Sequence, residues 1–212
     1  SIFPIRPTPA VNRGNIPGVL DEQGRMREFT SAGAPLVYRG TALPAEYYGN
    51  VFVCEPAGNL IKRNLIDEAP LSLTSRYAWP DREFLASTDE RFRPVFLANG
   101  PDGALYIADM YRGIIEHGPY ATPYLREQIA ARKLAQPIHL GRIWRIVPEG
   151  WQAPKPIRLS RASPDELIAL LAHPGGWQRD MGQRLLVERA DTAAFTGLRE
   201  MLRNGSDFRS RL

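Results

Sequence analysis

Apolar positions change their rhythm about two thirds of the way along the chain. Before position 150 they come in short β-branched or aromatic groups at 35–38, 51–54, 60–61, 95–97, 105–107 and 142–146, separated by Gly and Pro. Groups of that length and composition, bounded by turn residues, predict β-strands. A further strand is expected at 83–87, and a turn at Gly100-Pro101-Asp102-Gly103, where Pro presets φ and the last Gly admits a positive one. After position 150 the spacing is helical. Ser163-Pro164-Asp165-Glu166 offers an N-cap, a first-turn proline and two acids, and Leu167, Leu170 and Leu171 follow on one face. His173-Pro174-Gly175-Gly176 ends that helix. A second begins near Trp177 with Met181, Leu185 and Leu186, and a third spans about 192–202 with Phe195, Leu198, Met201 and Leu202.

The strand region repeats itself. Residues 49–55 (GNVFVCE) and 103–109 (GALYIAD) share Gly, any, aliphatic, aromatic, aliphatic, small, acid at an offset of 54. Upstream, 35–40 parallels 95–100; downstream, 58–62 parallels 141–145, and the wider spacing there implies an insertion of 29 residues. Within the insertion, Leu125, Ile129 and Leu134 define an amphipathic helix that either lids a ligand face or buttresses the sheets. Three or four short antiparallel strands repeating every 40–50 residues is the pattern of a β-propeller blade. The expected fold is therefore mainly β with an α tail: about two blades of a partial propeller in 1–147 with the insertion at 110–140, a Pro-rich linker at 148–162, and the start of HEAT-like helical repeats at 163–212. Two blades do not close a ring, so a longer parent chain is expected.

Composition narrows the function classes. With 43% hydrophobic and 24% charged residues the chain is globular, not disordered or fibrous. No apolar run approaches the roughly 18–20 residues of a membrane span. Formal charge is +4, and Lys62, Lys133 and Lys155 are the only lysines, so the cations are overwhelmingly arginine. They are scattered among acids, as in Asp81-Arg82-Glu83 and Asp89-Glu90-Arg91, and not gathered into the basic stripe that nucleic acid requires. Cys54 stands alone, which removes disulfides, CxxC zinc sites and a covalent CxxCH haem from this chain.

Four segments are expected on a ligand face: Asn12-Arg13-Gly14, Glu55-Pro56-Ala57-Gly58, 87–93, and 109–113 running to His117. His117 is the candidate acid–base catalyst, because an unperturbed imidazole alone titrates near neutrality. Arg93 and Arg112 are candidates to hold an anionic cofactor bidentately, and Asp109, grouped with them at the cofactor, to orient Arg112 or bind a metal. The plainer alternatives are inter-blade ion pairs with Asp89 or Glu90 for the arginines, backbone capping for Asp109, and structural roles for His139, His173 and Cys54. No metal site is expected.

The stretches VYRGTALPAEYYGNVFVCEPAGNLIKRN, EFLASTDERFRPVFLANGPDGALYIADMYRGIIEH and LGRIWRIVPEG resemble the propeller end of planctomycete-type "membrane-bound dehydrogenase-like" proteins, which are similar to glucose/sorbosone dehydrogenase propellers. LIALLAHPGGWQRDMGQRLLVER resembles the first HEAT-type repeats that follow in that family. The resemblance implies an extracytoplasmic (periplasmic or membrane-associated) protein and a quinone-linked sugar or alcohol dehydrogenase. It further implies pyrroloquinoline quinone and calcium as cofactors in the full-length parent, electron transfer to a haem c domain outside this chain, and no turnover by this piece alone. No cofactor arginine or catalytic histidine of the soluble glucose dehydrogenases is carried onto a position here. The other expectation is a non-catalytic propeller and helical-repeat scaffold that binds carbohydrate or protein.

Overall fold

The computed structural model describes residues 1–205; the last seven residues of the expected helical segment lie outside them. Two compact units are present. The first joins 1–38, 49–98 and 106–146; the second joins 39–48, 99–105 and the chain from 147 onward.

The first unit carries two sheets. In one, β1 (Gly33–Val37), β2 (Val51–Glu55), β3 (Leu60–Ala69) and β4 (Ser72–Tyr77) run in that order, all antiparallel. The short β5 (Leu85–Ala86) pairs with the first residues of β3, Leu60 and Ile61, while β4 pairs with its outer half. The second sheet is β6 (Pro94–Asn99), β7 (Leu105–Asp109) and β8 (Arg142–Ile146). The predicted strands are all there. So is the repeat: Gly49 and Gly103, which open its two copies, both have φ of +82°, a conformation that costs an L side chain and not glycine. Burial does not follow the repeat, however. β2 buries Phe52 and Cys54, whereas β7 buries Leu105 and Ile107, the alternate positions of the same motif. Because the motif is apolar in both phases, its sequence leaves either face free to be the inner one.

The stretch before β1 is irregular and packs through Ile2, Val11 and Met26 onto Leu60. The insertion holds the predicted helix, α1 (Pro123–Ala131), capped by the Thr122 hydroxyl on the Leu125 amide. Leu125 and Leu134 are buried with Ala10 and Ala121. Lys62, fully buried in β3, donates to the Ser1 carbonyl at 2.9 Å and to Glu83 at 3.3 Å, and lies 3.8 Å from the Tyr77 ring.

In the second unit the predicted helices appear as α2 (Pro164–Leu170), α3 (Gly176–Arg189) and α4 (Ala194–Asn204). Ser163 and Glu166 form a reciprocal capping box at the start of α2. α2 packs on α3 closely enough that a Cβ at Gly182 would come within 2.9 Å of the Leu167 carbonyl. The core is Ala162, Leu167 and Leu170 with Leu159, Leu185 and Leu186. The same unit contains the predicted turn, closed by hydrogen bonds from Gly103 to Gly100 and from Gly100 to Ala104. His173 is structural, its Nδ1 accepting from the Gly175 amide at 2.9 Å.

Candidate functional site

The acid that ends the second strand of each sheet organises the loop after it. In β2 this is Glu55, wholly buried. Its carboxylate accepts the amides of Thr30 and Ser31 at 2.8 and 2.9 Å, just ahead of β1, and that of Ala57 two residues on at 3.1 Å. In β7 it is Asp109, 3% exposed. One oxygen accepts the amide of Arg93, just ahead of β6, and that of Tyr111 two residues on, both at 2.8 Å; the other accepts the Trp144 indole N–H at 3.0 Å. The two acids do the same work in the two copies of the repeat. Burial pushes the Glu55 carboxyl up, against the opposing pull of its backbone donors.

Arg93 extends this lattice. Its guanidinium donates to three backbone carbonyls: Arg112 at 3.0 Å, Pro56 at 2.7 Å and Gly113 at 2.5 Å. It thereby ties the loop after β2 to the loop after β7. Of the five N–H donors of a guanidinium, these bonds use three. Burial lowers its pKa to about 10. The ion pairs expected with Asp89 or Glu90 do not form. Glu90 instead takes Arg6 at 3.2 Å and a bidentate bond from Arg132, beyond the end of α1, and these cations outweigh its burial and hold its carboxyl low. Asn12 completes the frame. It donates to the Tyr120 carbonyl and accepts the Thr122 amide, while Tyr124 of α1 donates to the Pro9 carbonyl.

Within this frame, in the first unit, lies a cavity of about 470 Å3. All four of the segments expected at a ligand face contribute to it or its frame: Asn12 and Arg13; Pro56 and Ala57; Arg93; and Ile114 to Glu116, past Asp109. Leu125 of α1 is part of its wall, as an insertion over the site would supply. Sequence reasoning missed Ala10, Val11, Val19, Thr30 and Ser31, which lie in irregular chain with no periodicity to mark them. The lining is mainly aliphatic and contains no aromatic side chain.

The other candidates are elsewhere. His117 is exposed, its ring 5.2 Å from that of Tyr120, and it does not line the cavity. Arg112 is half-buried and does not line it either; among the described residues its guanidinium makes no hydrogen bond or ion pair. Asp109 is behind the wall, and its oxygens are already taken. The structure therefore joins Arg93 to Asp109 and to the Arg112 main chain through backbone bonds, but His117 is not part of that group and the Arg112 guanidinium takes no part in it. Cys54 is buried and its thiol pushed up to about 12, chiefly by burial, so it is inert as a nucleophile.

The residues that line this cavity do not fit pyrroloquinoline quinone with calcium. Calcium takes roughly six to eight oxygens, and among the described residues Glu116 is the one carboxylate lining the cavity. A planar tricarboxylate needs a cation for each carboxylate and a stacking surface, and the cavity lining offers two cations, Arg13 and Arg93, between aliphatic walls. Among the described residues no group of three His, Cys, Asp or Glu side chains is placed to hold a metal, and no helix is long and apolar enough to cross a membrane.

Compared with known proteins, residues 1–150 match the family model described as a domain of unknown function (DUF7133). No curated protein and no solved structure matches the chain.

Proposed function

Since the chain belongs to the DUF7133 family, whose description states no activity, we propose from its geometry that it is a non-catalytic, small-molecule-binding part of a β-propeller, followed by HEAT-like helices. The observation that carries this reading is the 470 Å3 cavity. Its wall is assembled from six separate stretches of chain and locked by Arg93, Asn12 and the Glu90 network, while His117 and Asp109 do not line it and Glu116, the carboxylate that does, stands exposed at the rim. A concave, largely apolar, preformed cavity with a few polar groups is the common form of a ligand site.

The propeller assignment draws on the repeat. Both copies of the motif are apolar on both strand faces, yet each buries only one. Phe96 of β6 and Ile143 of β8 remain 60% and 74% exposed. Strands of that composition belong in sheets covered on both sides, as a blade between two neighbours is. The dehydrogenase activity implied by the resemblance, with its extracytoplasmic setting and haem partner, is on this reading not a property of His117, Arg93, Asp109 and Arg112.

Ligand-observed NMR with a fragment library, followed by amide shift mapping, tests the proposal. Hits whose shifts centre on Thr30, Ser31, Ala57 and Ile114 are expected. A screen with no hit in the cavity overturns the binding reading. Oxidation of an aldose by the chain with added pyrroloquinoline quinone, calcium and a dye acceptor overturns the non-catalytic one.

A further inference from the structure

We infer that the ligand of this cavity is a small organic carboxylate with a short aliphatic body, its anionic end directed to Arg93 and Arg13. The inference rests on the binding reading above and specifies the ligand's charge. Arg93 is 4% exposed and lines the cavity, but no carboxylate lies within ion-pairing distance of it among the described residues. Its three acceptors are neutral carbonyls. The nearest acids act on it only at longer range and are engaged elsewhere: Glu90 by Arg6 and Arg132, Glu55 and Asp109 by backbone amides. A buried charge without a counter-ion is costly, and its lowered pKa reflects that cost. An anion in the cavity would supply the missing partner and find two guanidinium N–H donors still unused by protein.

Other features of the lining agree. Arg13 is exposed and, among the described residues, its guanidinium makes no hydrogen bond or ion pair. The Thr30 and Ser31 hydroxyls are 3.5 Å apart and offer further donors. The rest of the wall is aliphatic, with no ring on which a sugar or planar heterocycle would stack. Glu116, the opposing charge, is exposed at the rim and its Oε1 already accepts the His117 amide at 2.9 Å.

The test compares 4-methylpentanoate with 4-methylpentanamide, which share a shape and differ in charge, by calorimetric titration and amide shift mapping at neutral pH. The carboxylate is expected to bind roughly tenfold or more tightly, the worth of a charge-assisted over a neutral hydrogen bond. Arg13→Gln should weaken the carboxylate severalfold and the amide less, so that the ratio between the two narrows. Arg93→Met risks unfolding the loops, so the wild-type pair of ligands carries the decision. Equal affinities overturn the anion inference while leaving the cavity a binding site. Failure of both probes to bind overturns it as well, and the fragment screen then decides separately whether the cavity binds anything.

Discussion

Replacing Asp109 by Asn tests whether that carboxylate holds the second sheet to its loops. The substitution preserves shape and removes charge and one acceptor. Oδ1 can still receive the Arg93 and Tyr111 amides, but the new Nδ2 hydrogens then face the Trp144 indole N–H across 3.0 Å, donor against donor. Flipping the amide satisfies Trp144 and opposes two backbone N–H groups instead, which is worse. A bond to a charged acceptor is worth roughly 1.5–3 kcal/mol and to a neutral one roughly 0.5–1.5, so each retained bond loses about 1 kcal/mol. Trp144 is 43% exposed, so stranding its indole N–H adds about 1 kcal/mol, the low end for an unpaired donor, and relief of the buried charge returns part of the total, leaving a net cost of about 2 kcal/mol. Urea unfolding of D109N, Trp144→Phe and the double variant measures it. Asp109 and Trp144 should be coupled by about 1–2 kcal/mol, because without the indole there is no opposed donor. A D109N cost below about 0.5 kcal/mol, or strict additivity with Trp144→Phe, would refute the assigned role.

Gly49→Ala and Gly103→Ala impose the same strain at φ +82°, but a Cβ at Gly49 meets nothing within 4 Å while one at Gly103 would be 2.3 Å from the Thr41 hydroxyl and 2.8 Å from its amide. The first should cost about 1 kcal/mol by denaturant titration and the second at least about 2; equal costs would mean the close approach at Thr41 is absent. Lys62→Met leaves Glu83 buried without its cation and should cost about 3–5 kcal/mol at pH 7. Burial already raises the Glu83 carboxyl, and losing Lys62 raises it further. A raised folded value contributes stability at low pH that disappears as pH climbs through it, so the deficit of K62M should shrink toward pH 4; a deficit independent of pH speaks against the pair. Cys54, with its thiol pushed up to about 12, should react with a disulfide reagent at pH 8 only as fast as the protein unfolds, and rapid native-state labelling would show that β2 is not buried as described.

Why the strands and helices were legible, and the site only partly so, follows from the range of the forces involved. Strand positions come from local composition, and the α2 cap comes from Ser163 and Glu166, three residues apart. The repeated glycine and acid were legible too, since the turn conformation and the capped amide lie within two residues of them. Arg93 is different in kind. Its three acceptors are 19, 37 and 20 residues away and are backbone atoms, so no residue type marks them, and a side chain suited to ion pairing looks from sequence like half of an ion pair. The same holds for Thr30 and Ser31, which reach the cavity because their amides, ahead of β1, are gathered by Glu55.

This difference also bears on how the cavity can vary. Its frame is made of acids binding backbone amides and an arginine binding backbone carbonyls, so the frame constrains Glu55, Asp109 and Arg93 but hardly the residues whose main chain they hold. Ile115 follows the main chain held at Gly113 and is 43% exposed, so its side chain can change the lining without loosening it, whereas Ala57 and Ile114 also pack on buried clusters. Exchanging Ile115 for other apolar residues should therefore alter which ligand shape is accepted while leaving stability within about 0.5 kcal/mol of its original value. Conservative changes at Glu55, Asp109 or Arg93 should reverse that order, costing stability first. Swapped sensitivities would mean that the lining, and not the backbone lattice behind it, holds the cavity open.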